Sequence, residues 1–303
     1  LTTLASAEQV VRGQQAAEIR YTVTGFCQNS LRVQISTNNI KPGSNITLNH
    51  PGALLVTNNV LCPAQEAVTL TSQKNVHTHD NLRVELTDDQ ALKFWNVKTS
   101  GLLFQIDPVS FKPSAAIPGL VATSISTKHP AGDTRVYGLG QGGWTASDGS
   151  GCAGGNGTEH IVPLLRNGQS VNLLQRKFHI SIPFIYSTDG EGSQYGLLYN
   201  HGGYGDVAVD EQGGQVWSQQ AALNVDLWVT TTRSEGHRDI YEHYADATGH
   251  SPSMREDAMS FWQSRNRYKS SDIVESLATR YAGLDVRVGV VVVDFKNMNF
   301  DGD

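Results

Sequence analysis

The sequence is short of charge, of cysteine and of long apolar runs, and each shortage excludes something. Only 17% of its 303 residues are charged, the net charge is −6, and no basic block interrupts the chain. A nucleic-acid partner is excluded on that ground, because phosphate recognition needs a concentrated positive face. No apolar stretch approaches the roughly 20 residues that span a bilayer as a helix. The first residues, "LTTLASAEQVVRG", lack a charged start and a continuous apolar core. They are no intact signal peptide, but they suit the start left after one is removed. Catalytic signatures are also missing. There is no Gly-x-Ser-x-Gly elbow, no Cys/His pair arguable from spacing, and no third ligand beside His77 and His79 or His237 and His243 that would make a zinc site. The glycine-rich "GQGGWTASDGSGCAGGNGTEH" opens no helix after a strand, so it reads as a lobe near a cleft mouth and not as a phosphate cradle.

What little cysteine there is stays equivocal. Cys27 and Cys62 lie in one strand-rich region and can pair, which leaves Cys152 free or bridged elsewhere. Asn45 ("NIT") and Asn156 ("NGT") head Asn-x-Ser/Thr sequons, expected glycosylation sites although such tripeptides also arise by chance, in Gly/Asn-rich segments that read as surface loops. Together these features favour a secreted or vesicular protein.

From Ala16 to about Val229 the pattern is short alternating strands split by turn residues. "EIRYTVTGF", "LRVQIST", "ITLNHPGALLVTNN", "NLRVELTD", "GLLFQID", "HISIPFIYST", "YGLLYNH" and "NVDLWVTTT" are examples. Many strands with no helical period and no fixed repeat predict a large antiparallel β-sandwich over 1–235. The period then changes. Ile240, Tyr244 and Ala247 share one helical face, Gly249 suits the helix end, and Pro252 stops it, giving a helical connection over 236–253. Beyond it, "AMSFWQS" reads as a strand and "SDIVESLATRYAGL" as a helix, with Asp272 as N-cap and Glu275 three residues later. "VRVGVVVVDF" is a strand apolar on both faces. Strand, helix and strand make one βαβ unit of a parallel sheet over 254–303. Parallel sheets place functional groups at the C-terminal ends of their strands, and Asp294 occupies that end. Asp is also a common turn former, so position alone leaves both readings open.

Six blocks then resemble glycoside hydrolase family 31, in that family's order. They are "RVYGLGQ" (135–141), "LLRNGQSV" (164–171), "IPFIYST" (182–188), "YGLLYNH" (195–201), "YADATGHSP" (244–252) and "FWQSRNRYKSSDIV" (261–274). The resemblance covers roughly Thr134 to Met298 and looks closest to the α-xylosidase-like branch. It implies a mainly β chain: an N-terminal β-sandwich followed by the first βαβ unit of a (β/α)8 barrel. It also implies a retaining α-glycoside-processing enzyme of α-glucosidase or α-xylosidase type, acting on α-linked sugars without a cofactor. Asp294 matches an aspartate that binds sugar hydroxyls beside the scissile bond. A carboxylate suits that task, because it accepts two directed hydrogen bonds and holds negative charge near an oxocarbenium-like ring. Asn167 sits where a sandwich loop of the family reaches the active site, although Asn167–Gly168 is also a plain turn sequence. Trp262 and Arg265 follow the first barrel strand as further substrate-binding candidates, Trp262 being better explained by core packing. The segment "DFKNM" departs from the aromatic-rich stretch typical of xylosidases, which leaves the sugar open.

A retaining glycosidase needs two carboxyl groups about 5–5.5 Å apart. In this family both lie on strands well beyond the second, so these residues alone are expected to be inactive. The remainder of the barrel is expected either as a separate chain cut from one precursor or as continuing sequence. Two other readings stay open: a non-catalytic carbohydrate-binding or structural relative, and an α-glucan lyase.

Overall fold

The computed structural model describes residues 18–38, 52–55, 59–63, 65–130, 133–140, 164–174, 180–190, 192–233 and 236–294. By internal contacts the chain divides into two units, Leu1–Gly249 and His250–Asp303.

Among the described residues the first unit holds two antiparallel sheets. One, of seven strands, runs in the order β10 (Arg135–Gly138), β12 (Phe184–Thr188), β13 (Gln194–Tyr199), β16 (Val225–Thr231), β2 (Ser30–Thr37), β1 (Ile19–Gly25) and β3 (Val68–Leu70). The other, of nine, runs β11 (Ser170–Asn172), β14 (Gly205–Val209), β15 (Gln215–Ala222), β9 (Val121–Lys128), β7 (Gly101–Ile106), β6 (Leu92–Asn96), β5 (Leu82–Leu86) and β4 (Val76–His79), with β8 (Ser110–Pro113) beside β9. Alternation builds the interface between them. In β9 the buried positions are Val121, Thr123, Ile125 and Thr127, a two-residue period that turns one face inward. Aromatic rings then lock the two inner faces together. Phe104 stacks on Tyr195 with centroids 4.2 Å apart, and Tyr199 stacks on Trp217 at 5.8 Å. The Thr123 and Tyr199 hydroxyls share a buried hydrogen bond of 2.9 Å.

β13 and β16 break the alternation because both of their faces are covered. Tyr195, Leu197, Val225, Leu227 and Val229 face the sandwich core. Leu198 and Trp228 pack on the other side with Phe184, Ile240 and Ala247. The last two belong to helix α1 (His237–Thr248), so a helix lies across the outer face of the seven-stranded sheet. Its approach is close: a Cβ on Gly196 would meet Ile240 Cγ2 and Thr230 Cγ2 at 2.9 Å. The helical face expected from Ile240, Tyr244 and Ala247 is the one that packs, and Gly249 closes the helix at φ 108°. The contact boundary falls after Gly249, which leaves α1 on the sandwich side of it.

Three sequence expectations differ locally. "ITLNHPGALLVTNN" is no strand where it is described: Gly52–Leu55 is a turn, Ala53 N–H donating to Asn200 Oδ1 at 2.8 Å. The strand read from His179 begins only at Phe184, just after Pro183, which cannot donate to a ladder. β4, β6, β8, β9, β10 and β11 were not among the expected strands. β9 is easily passed over, because two of its four core positions are threonines.

The second unit is described by itself. A 3-10 turn (Glu256–Met259) leads into β17 (Phe261–Asn266); helix α2 (Ser271–Gly283) then returns the chain to β18 (Val288–Asp294). β17 and β18 pair in parallel, so the predicted βαβ unit is present. The apolar stripe that the sequence of α2 predicts, Ile273, Val274, Leu277, Ala278 and Tyr281, is half-buried except at Ala278, which is exposed, and the Tyr281 hydroxyl donates to Gln263 Oε1 at 2.7 Å. Asp272 is not the N-cap, since Ser270 takes that position in extended backbone and places Asp272 inside the first turn. There its charge still favours the positive end of the helix dipole. Gly289, which interrupts the valine run, has a packing reason: a Cβ there would strike the Asp257 carbonyl oxygen and Ser260 Oγ.

Candidate functional site

The parallel pair fixes where the second unit can present chemistry. The register sets Asn266, the last residue of β17, beside Asp294, the last residue of β18. Two polar residues therefore close two parallel strands at their shared C-terminal end. The Asp294 side chain itself lies outside the described set. Trp262 is 52% exposed, and its indole N–H donates to the Ala258 carbonyl at 2.6 Å. Within its own unit it is a half-open face and not a core residue. Arg265 is exposed and stands opposite Val293 in the register.

The loop before β11 is organised by Asn167. Its Oδ1 accepts from Val136 N–H at 3.0 Å, and its Nδ2 donates to the carbonyls of Thr134 at 2.8 Å and Glu211 at 3.1 Å. All of these partners are backbone groups, so the amide ties the loop to β10 and to the β14–β15 turn. Gly168 follows at φ 73°, the left-handed backbone an Asn-Gly turn demands. Beside it Arg166 is buried, and donates from Nε to Gly138 O at 2.9 Å and from Nη2 to Gly140 O at 3.1 Å.

Cys27 and Cys62 form a disulfide. It anchors a segment that caps α1: Asn59 Nδ2 donates to Asp246 O at 2.7 Å and Leu55 N–H to Ala247 O at 2.8 Å. Both acceptors belong to the last turn of the helix, whose carbonyls lack intrahelical partners. Asn45, Asn156 and Cys152 lie outside the described residues. The histidines divide between surface and core: His237 is exposed, His77 and His79 are half-buried, and His243 is buried against Thr230 Oγ1 at 2.8 Å.

Sequence reasoning missed the strongest electrostatic feature of the first unit. Arg32 on β2 and Asp226 on β16 form a buried pair, Nε–Oδ1 at 3.0 Å and Nη2–Oδ2 at 2.6 Å. Asn200 Nδ2 adds a third bond to Asp226 Oδ2 at 3.0 Å. Burial pushes the Asp226 carboxyl up; the Arg32 guanidinium and Asn200 oppose it. A signal was available. In "NVDLWV" and "LRVQI" the charges sit at positions that alternate with the core valines and leucines, hence together on the outer face.

Burial also holds imidazoles below their ordinary value of 6.5, at His129, His201 and His243. His129 Nε2 faces the Gly213 carbonyl oxygen at 3.0 Å, with Tyr195 Oη 3.4 Å away. A histidine whose folded pKa is depressed stabilises the fold fully above its unfolded value, and loses that contribution as pH falls through the folded one. The melting temperature is therefore expected to drop as pH is lowered below about 6.5. A His129→Gln variant should show a shallower slope in thermal unfolding; an unchanged slope would remove His129 from this account.

The first class defined by these observations is a mainly β chain of two antiparallel sheets with a parallel βαβ unit after them. No protein-family model matches the chain. Over 164 residues it is 32% identical to an alpha-xylosidase of Saccharolobus solfataricus, a stretch that is 54% of this chain and 20% of that protein. Over 128 residues it is 31% identical to an uncharacterized family 31 glucosidase of Pseudescherichia vulneris, 42% of this chain and 23% of the relative. Among solved structures, a xylosidase from Aspergillus niger aligns with a TM-score of 0.72 at 16% identity, over 94% of this chain and 39% of its own. A GH31 alpha-xylosidase from a soil metagenome, complexed with xylose, aligns with a TM-score of 0.68 at 22% identity, over 96% and 42%. The matched stretch is thus about a fifth of the curated relatives, and the chain spans about two-fifths of the solved ones. The structural likeness carries the fold, and the sequence matches carry the kinship. The chain resembles the N-terminal part of glycoside hydrolase family 31 proteins.

Proposed function

We propose that this chain is the N-terminal part of a retaining α-glycoside-processing enzyme of α-xylosidase or α-glucosidase type, completed by the remainder of a (β/α)8 barrel. The observation that carries the reading is the parallel pairing of β17 with β18, which sets Asp294 and Asn266 side by side at their C-terminal ends. Catalytic and binding residues of such barrels sit at that face. In this reading β17 and β18 are the first two barrel strands, and Asp294 accepts hydrogen bonds from vicinal hydroxyls of the bound sugar. Arg265, opposite Val293, stands one residue from the same strand end, whereas Trp262, opposite Val290, lies near the start of β17 and away from it. Asn167 acts by holding its loop, because its amide is committed to backbone partners. The nucleophile and the acid/base are assigned to later strands of the barrel, and no cofactor is invoked. The sequons at Asn45 and Asn156 and the Cys27–Cys62 bridge fit secretion or a vesicle. A crystal of the complete protein soaked in xylose is expected to show the sugar's hydroxyls against the Asp294 carboxylate. Xylose bound only elsewhere would contradict the assignment.

A further inference from the structure

The sandwich unit contains a cavity of about 690 Å³ that the strand-end reading does not use. That volume falls within the roughly 300–1,000 Å³ of small-molecule sites. Its polar side is built from Asn200, His201 and Asp226, and its apolar side from Ile182, Leu223 and Tyr244 among others. Strand geometry explains the arrangement. Asn200 and His201 follow the end of β13 and Asp226 lies near the start of β16, so adjacent antiparallel strands bring the three to one end of the sheet.

The polar groups define the ligand. Asp226 and Asn200 are 4% and 6% exposed, hence fixed rather than solvated. Asp226 receives three hydrogen bonds, two from Arg32 and one from Asn200, where a carboxylate can accept about four. The Arg32 guanidinium neutralises it, so the floor carries no net charge for a cation or an anion to seek. His201 Nδ1 accepts the Gly203 N–H at 2.8 Å, which fixes a neutral ring with its proton on Nε2. That Nε2–H has no partner among the described residues. An apolar occupant would leave donor and acceptor unmatched, whereas a neutral polyol answers both and lays its C–H face on the Tyr244 and Leu223 side. We infer that this cavity is a binding site for a neutral sugar, a mono- or disaccharide, held by Asp226 and His201 on the sandwich itself, with Asn200 fixing the carboxylate.

The test uses the complete protein with Asp294→Ala, which removes the sugar contact proposed at the strand end. Xylose, glucose and isomaltose are titrated and followed by ligand-observed NMR. Gly202 lines the cavity and a Cβ there meets nothing within 4 Å, so Gly202→Phe fills the space without straining the backbone. At least one sugar should still bind the Asp294→Ala protein. Adding Gly202→Phe should weaken that binding by at least about tenfold at an unchanged melting temperature. His201→Gln, which cannot hold the same turn and donor together, should weaken it as well. Binding abolished by Asp294→Ala alone, or affected less than about twofold by Gly202→Phe, would overturn the inference, as would no binding at all. Turnover of a small α-glycoside by the protein with Asp294 intact, read in parallel, reports on the proposed function and not on the cavity.

Discussion

Replacing Asp294 by alanine in the complete enzyme is expected to lower kcat/KM for an α-glycoside by about 10³-fold while leaving the melting temperature nearly unchanged. The magnitude follows from the position. In the proposed barrel the Asp294 carboxylate would hold the ring by two hydrogen bonds, and its charge would gain value as the ring becomes oxocarbenium-like. The unchanged stability follows from β18, whose pairing to β17 is a backbone matter that a last-residue substitution leaves in place. Asp294→Asn separates the contributions: it keeps one acceptor and removes the charge, so kcat should fall more steeply than KM rises. Wild-type kinetics in either variant would take Asp294 out of the site.

Arg32→Met is expected to destabilise the sandwich by about 3–5 kcal/mol, because it leaves the Asp226 carboxylate buried without its partner. The pair is 7% and 4% exposed, so solvent offers little relief. The double variant Arg32→Met/Asp226→Leu should recover most of that loss, since replacing a whole buried pair by apolar residues of similar size is often neutral. Urea unfolding of the three proteins measures both statements. A single-variant loss under about 1 kcal/mol would show that water reaches the carboxylate after all. Recovery of stability by the double variant, joined with loss of sugar binding in the cavity, would separate the pair's role in recognition from its role in folding.

Much of this fold was legible because period follows burial. The two-residue alternation of β5 and the helical spacing of Ile240, Tyr244 and Ala247 translate directly into elements. The valine run of β18, interrupted only at Gly289, announces a parallel strand, and β18 does pair in parallel with β17. Legibility failed where the core is polar or the contact is long-range. β9 fills core positions with Thr123 and Thr127, so its pattern looks like loop chemistry. Arg32 and Asp226 are 194 residues apart, and nothing local to either tells of the other. Asn167 was legible as an Asn-Gly turn. That its amide would bind Thr134, Val136 and Glu211 required the sheet to be in place first. That a strand would end at Asp294 was legible from the valine run, and the register adds Asn266 as that residue's neighbour.

The central claim is that these residues open the barrel of an enzyme that cleaves α-linked sugars with retention. Proton NMR of the complete protein turning over 4-nitrophenyl α-xyloside and α-glucoside tests it most directly, because the anomeric signal reports stereochemistry in the first minutes. The account predicts that one of the two substrates releases its sugar first as the α-anomer, which then mutarotates. A β-anomer appearing first, an unsaturated product of elimination, or two intact substrates after prolonged incubation would contradict it.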